Sequence, residues 1–439
     1  MPPSIPDLDG YRSDAERHLA DPGPAADAAH AHLFSADAVA GTEAAAAGGD
    51  RHLRALARFA AEGHLRLASA GEMADVDALL RAPLVAGAGS GAVTLREVDA
   101  LLAAEPDAER RRELQGARLR AIDSHLSELL ADAALRRADA ARALGAASAA
   151  ELLARVCGRD LERIEADAGR VLSGSDDIAA RALDVAARGA IGPAASALDP
   201  ADLPRVARAP QHEADLPTAA VASAIARTRE AMGSRDAATD RSEMQGVAGA
   251  LEMLRGAGAA LARGGVSPRR RMEARLLADP ALVHAHAALL EGLLAEPEWL
   301  RRVLGAPEPE PVATAAATMR LLAARSAAAG SASLRSEANA DLMSRALCVA
   351  WPAELSIVAR LGSLGPCDEL RGRMLAAALR IHLRETFGER WFLETAAARL
   401  LRELWLEGGD LDPGDLAREL GSAGLDPALV IAEAGERLG

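Results

Sequence analysis

The chain has 439 residues, half of them apolar, enough for one large or two to three ordinary domains with a substantial core. Its net charge of −14 opposes a general nucleic-acid-binding role, because attraction to phosphates needs a basic surface; only local basic patches are left open. Cys157, Cys348 and Cys367 are odd in number and far apart, with neither a C-x-x-C pair nor a disulfide framework, so a reduced compartment is the simplest setting.

The opening residues lack the basic and apolar regions of a secretory signal, and no run of about 18 apolar residues occurs, so a cytoplasmic protein without membrane contact is expected. The 50 basic residues are all Arg, a bias better explained by genome composition than by fifty guanidinium-specific roles. Aromatic and β-branched residues are scarce beside Ala and Leu, which predicts helix throughout.

In chain order, two short helices are expected over 11–34, separated by Asp21-Pro-Gly-Pro. Leu53, Leu56, Phe59, Ala60, Leu65 and Leu67 mark an amphipathic helix running towards Arg81. The Gly-rich text at 83–94, flanked by Val85 and Val93, predicts a small hairpin, the one place where strand is expected. Thr94-Leu-Arg-Glu97 reads as a capping box, and after 105–107 a long helical segment extends to about Leu144. Ser148 should cap a helix over 149–156, Asp160 should open another, and Ser173-Gly-Ser-Asp176 should make a turn before a helix over 178–190. Residues 195–217 read as irregular and 218–232 as helix; 233–245 are polar without a stripe, a boundary or surface loop.

Residues 246–261 form a helix in which Val247, Leu251, Leu254, Gly258 and Leu261 face a core. Ser267-Pro opens a short Arg-rich helix, Asp279-Pro leads into one over 281–295, and A-P-E-P-E-P at 306–311 reads as a stiff linker. Further helices are expected over 313–329, 333–350, 367–387 and 391–405, then two short ones from Asp412-Pro and Asp426-Pro. No fixed-period repeat is present.

Few residues advertise chemistry. His284 and His286, like His30 and His32, are two apart, so on a helix they point about 200° from each other and make no two-ligand face. His212-Glu213 is an acid/base pair without a nucleophile. Gly87-Ala-Gly-Ser-Gly91 lacks the Lys and Ser/Thr of a phosphate loop. The cysteines read as fillers of apolar faces, and Arg269, Arg270 and Arg271 as a solvated turn, with an anion site as the sharper alternative. Trp391, Phe392 and Trp405 read as packing anchors.

Several segments, in order, resemble bacterial zinc metallopeptidases of the thimet oligopeptidase and oligoendopeptidase F family: 102–121 (with E-P-D-A-E-R-R-R-E-L), 144–161, 198–209, 291–305 (E-G-L-L-A-E-P-E-W-L-R-R-V-L-G), 379–405 and 412–430. The resemblance places the family's H-E-x-x-H at 255–259. Arg255 and Ala259 then stand for the histidine ligands, Gly256 for the general base, and the third ligand falls near His284. Residues 233–245 are too few for the strands relatives build there, and with Tyr11 the sole tyrosine, the oxyanion-stabilising tyrosines have no counterpart. Arg cannot ligate zinc, because it stays protonated.

The resemblance implies an all-α, two-lobed helical fold around a central cleft, with lobes over 1–233 and 246–439. It also implies a degenerate site at Arg255, Gly256, Ala259 and His284 that holds no metal or other cofactor. The expected role is binding a peptide or protein, an active related peptidase included, with Arg255 free to receive a carboxylate. The alternative is a metal-free enzyme that uses the vacated cleft, through His284 or His212, on a small molecule.

Overall fold

The structure, a computed structural model, describes residues 7–86, 91–192, 197–233, 245–336 and 339–439. Helix α1 (Leu8–Ala20), capped by Asp7 on the Gly10 N–H, and α2 (Pro24–Ala29) stand apart at the Pro/Gly break. They are followed by α3 (Ala36–Ala46), α4 (Arg51–Ala68) and α5 (Ala70–Arg81). The single helix expected towards Arg81 is therefore two: buried Ser69 ends α4, and its hydroxyl is held by Arg137 Nε at 2.8 Å. Strands β1 (Val85–Ala86) and β2 (Ala92–Val93) pair antiparallel with Val85 opposite Val93, as expected; most of the glycine-rich tip lies outside the described residues.

Next come α6 (Val98–Ala104), α7 (Ala108–His125), α8 (Ser127–Ala143) and α9 (Ala149–Val156). Half of the expected capping box is present, Glu97 accepting from the Thr94 N–H at 2.8 Å. The long segment to Leu144 breaks at Leu126. Helix α10 (Leu161–Ile191) runs straight through the expected turn at 173–176. Ser173 and Ser175 donate to carbonyls one turn back, so their hydroxyls need no turn, and a Cβ on Gly174 would lie 2.5 Å from Ile431 Cδ1. That glycine marks a close helix approach.

The chain continues through α11 (Leu203–Arg208), α12 (Thr218–Ala231), α13 (Gly246–Gly264), α14 (Met272–Leu276) and α15 (Pro280–Glu291). Residues 234–244 of the expected boundary loop lie outside the described residues. Arg269–Arg271 precede α14 instead of forming a helix, and Arg270 pairs with Glu407 and Asp410. Then follow α16 (Pro297–Trp299), α17 (Pro309–Ala332), α18 (Asn339–Leu347), α19 (Gly365–Phe387), α20 (Thr395–Glu407), α21 (Pro413–Glu419) and α22 (Pro427–Leu438). The expected linker at 306–311 is half helix, because Pro309 and Pro311 sit in the first turn of α17, where a missing N–H costs nothing.

The main core lies among α12, α13, α15, α17, α19 and α20; within it Trp299, fully buried, donates Nε1–H to Thr228 Oγ1 at 3.0 Å. A second core joins α1, α3, α4 and α9 around Phe34, Leu56 and Phe59, and a third lies under the hairpin and α5–α8. Helix α10 lies along α17 and α22, so helix packing crosses from the first half of the chain into the second. Among the described residues, no helix is long and apolar enough to cross a membrane.

Candidate functional site

Helix α13 buries its predicted stripe: Val247, Leu251, Leu254, Gly258 and Leu261 all face the core. Helix α15 is clamped between α13 and α19 by two glycines. A Cβ on Gly258 would lie 2.3 Å from His286 O, and one on Gly372 would lie 2.4 Å from His284 Cβ. This clamp aligns the polar flanks of the three helices. Arg255 is half-buried on α13, with Ala259 half-buried one turn on and Gly256 exposed.

Arg255 bridges two carboxylates: Nη1 to Glu291 Oε2 and Nη2 to Glu369 Oε1, each at 3.0 Å. Arg373, 5% exposed, closes the square by reaching Glu291 at 3.2 Å and Glu369 at 3.0 Å. The ladder continues inward, where Arg320 and Arg380 both reach Glu433 and Arg380 reaches Glu296 at 2.9 Å. Burial works against charge on Glu369, but Arg373 and then Arg255 hold its carboxyl below the usual carboxylate range. Glu433 is held at about 2 against burial by Arg320 and Arg380. These charges are kept because each has an opposite partner in a poorly hydrated setting.

The guanidinium expected to stand free is thus taken by its own chain, because a half-buried Arg among apolar helix faces needs internal counter-charges. His284 shares this neighbourhood, within electrostatic reach of Glu369, Arg255, Asp368 and Arg373, and burial lowers its pKa. His286 is buried at the wall of a neighbouring cavity and accepts from Trp405 Nε1 at 3.2 Å; burial lowers it to about 4. Zinc needs several deprotonated donors with free lone pairs. Here the carboxylates nearest Arg255 are directed at guanidiniums, and a cation among them would meet like charge, so the residues present do not fit the metal. Among the described residues no three His, Cys, Asp or Glu side chains are grouped to hold a metal ion.

The structure therefore brings Arg255 and His284 together, with Ala259 and Gly256 on the adjoining surface. His212 sits apart on the turn Pro210–Asp215, beside α10 and α13. His30 and His32 belong to the N-terminal helices, near His18. All three cysteines are free, Cys367 buried and the others half-buried. Sequence reasoning missed Glu291, Glu369 and Arg373. A signal was available: Glu369, Arg373, Arg380 and Arg384 recur at spacings of 4, 7 and 4 on an Ala/Leu-rich helix, the pattern of charges on an otherwise buried face.

A groove of 910 Å³ runs between α1, α2, α4 and α5 on one side and residues 276–280 on the other. It is lined by paired charges, among them Asp27 with Arg66 and Glu62 with Arg58, and by Phe59, Met73, Leu276 and Leu277. A cavity of 380 Å³ beyond it shares Leu276, Ala278 and Pro280 and reaches His284.

Among solved structures, the chain is similar to Trypanosoma cruzi metallocarboxypeptidase 1, with a TM-score of 0.51 and 14% identity over 98% of this chain and 97% of that one. An M32 carboxypeptidase from Deinococcus radiodurans R1 is similar at a TM-score of 0.47 and 14% identity, over 99% and 94%. No protein-family profile matches the chain, and no curated protein does. The likeness defines the class of fold, an all-α metallopeptidase-like architecture. What the Trypanosoma cruzi structure shares with the sequence-based resemblance is the helical metallopeptidase-like fold; the likeness does not support the oligoendopeptidase F assignment.

Proposed function

We propose that this chain is a degenerate metallopeptidase-like protein that carries out no zinc-dependent hydrolysis. Its role is to bind a peptide or protein, an active related peptidase among the candidates, as partner or scaffold. One observation carries the reading: where the sequence resemblance puts a histidine ligand, Arg255 bridges Glu291 and Glu369. A guanidinium at that point stabilises the helix junction and opposes a cation. The 910 Å³ groove, with its alternating charges and exposed Leu276, has the size and mixed polarity of a peptide-binding cleft.

Equilibrium binding of labelled hexapeptides, followed by mass analysis of the recovered peptides, tests this. Peptides should bind, come back intact with or without added zinc, and bind more weakly to Leu276→Asp. Chelator-sensitive cleavage overturns the reading.

A second reading, metal-free chemistry on a small molecule, is favoured by His284 alone. Burial keeps its imidazole neutral near pH 7, and it opens onto the 380 Å³ cavity. Turnover of a small-ester panel that His284→Ala abolishes would support it; no turnover would remove it.

A further inference from the structure

A second cavity, of 180 Å³, lies where α4, the turn between α9 and α10, the start of α15 and α19 meet. Arg51, Arg54, Arg58, Arg159 and Arg371 line it, against the carboxylates of Glu273, Asp279 and Asp412. Those carboxylates are already committed. Glu273 accepts from Arg12 Nε at 2.6 Å, and Asp412 accepts from the N–H groups of Gly414 and Asp415 as a helix cap. Asp279 is shared by Arg159 at 3.2 Å and Arg371 at 3.0 Å, and it also caps α15.

Behind the wall, buried Asp368 serves Arg58 at 2.8 Å, Arg371 at 3.5 Å and also Arg159. Three wall guanidiniums therefore share two carboxylates, with only Glu62 in addition, on Arg58. Donors are left over. Arg58 Nη1 is buried without a hydrogen-bond partner, Arg51 reaches only the Asp410 carbonyl, and Arg54 has no carboxylate partner among the described residues. Buried donors are rarely left unpaired, so an unfilled one beside a cavity marks a place for an acceptor.

Arg54 is also positioned. Gly158 has φ +64, and a Cβ there would lie 3.1 Å from Arg54 Cζ, so the glycine lets backbone and guanidinium approach. The donors come from α4, from the turn before α10 and from α19. They converge from different directions, unlike the single planar fork that suits a carboxylate.

We propose that this cavity binds a tetrahedral oxyanion, the phosphoryl group of inorganic phosphate or of a phosphomonoester, through Arg54, Arg58, Arg159 and Arg371. The site does not involve Arg255; it adjoins the peptide groove, with which it shares Arg58, whereas Arg54, Arg159 and Arg371 line the cavity and not the groove. The chain's acidic net charge supplies no general attraction for phosphate, so this local excess of donors has to provide it.

Phosphorus NMR titration of the full chain at constant ionic strength, with inorganic phosphate and separately with phenyl phosphate, tests the proposal. Saturable binding is expected, weakened about tenfold in Arg54→Ala and unchanged in Arg335→Ala, an arginine outside the cavity. Arg54 is exposed, so its loss should leave the fold intact, which circular dichroism checks. Tighter binding of the ester assigns the phosphoryl group to a larger ligand, and tighter binding of the free ion assigns it to phosphate itself. Three results overturn the proposal: no saturable binding to the unaltered protein, equal affinity in Arg54→Ala, or equal displacement of phosphate by acetate.

Discussion

Gly258 and His286 meet backbone to backbone: a side chain on the glycine would start 2.3 Å from the histidine's carbonyl oxygen. With Gly372 against His284 on the opposite side, this contact sets how closely α13, α15 and α19 approach, and so where Arg255 meets Glu291 and Glu369.

The same helix provides a matched pair of substitutions. Gly258→Ala should destabilise the fold by about 1–3 kcal/mol, because neither backbone can move aside without disturbing the core. Gly256→Ala, with nothing within 4 Å of the added methyl, should be neutral or stabilise by up to about 1 kcal/mol through helix propensity. In urea unfolding, the midpoint should fall for Gly258→Ala and stay or rise for Gly256→Ala.

Arg325 is fully buried, and all five of its N–H donors are used. They reach Leu172 O and Ser175 Oγ on α10, Asp176, and the carbonyls of Arg345 and Ala346 at the end of α18, at 2.7 to 2.9 Å. Arg325→Met should cost about 3–5 kcal/mol, since Asp176 loses a buried partner and several carbonyls lose their donor. Arg325→Lys should not restore the loss, because three donors on a flexible stem cannot reproduce the planar fork. Thermal unfolding of both variants checks this.

Acid should unfold the protein in two windows. His286 sits at about 4, below its unfolded value near 6.5, so the unfolded chain binds its proton first; stability is full above about pH 6.5 and falls as pH drops towards 4. Glu433, held at about 2 against an ordinary 4.5, adds stability that is present above about pH 4.5 and lost as pH falls towards 2. Each window is worth roughly 3 kcal/mol. His286→Gln should flatten the loss between pH 6.5 and 4 in urea titrations, and Glu433→Gln only the loss below 4.5. Equal slopes in all three proteins would contradict the assignment.

Within the ladder, burial separates two arginines that touch the same carboxylates. Arg373, 5% exposed, should cost about 3–5 kcal/mol on replacement by Met, because it leaves Glu291 and Glu369 short of a buried counter-charge. Arg255 is 30% exposed, and its Ala variant should lose only about 1 kcal/mol, since Arg373 still holds both carboxylates and water reaches the gap. Calorimetric unfolding of the pair distinguishes them.

Much of the fold was legible because it is carried by local signals. The Asp-Pro starts of α21 and α22, the Ser148 cap of α9 and the apolar stripe of α13 each rest on residues within a few positions of one another. Misreadings came where a local signal served a distant contact. Ser173–Asp176 reads as a turn, yet Gly174 is there for Ile431 of α22. The prolines of 306–311 read as a linker but open a helix. The family resemblance sets Arg255 and His284 near one another, whereas the pairing of Arg255 with Glu369, 114 positions on, depends on the packing of α13, α15 and α19, close at Gly258 and Gly372, which no spacing rule reveals.

Metal content of the purified full chain, measured by plasma mass spectrometry after dialysis against zinc and then metal-free buffer, tests the central claim most directly. The arrangement of Arg255, Glu291, Glu369 and Arg373 predicts far less than one zinc per chain, and no change when Arg255 is replaced by Ala. One tightly held zinc per chain would contradict it.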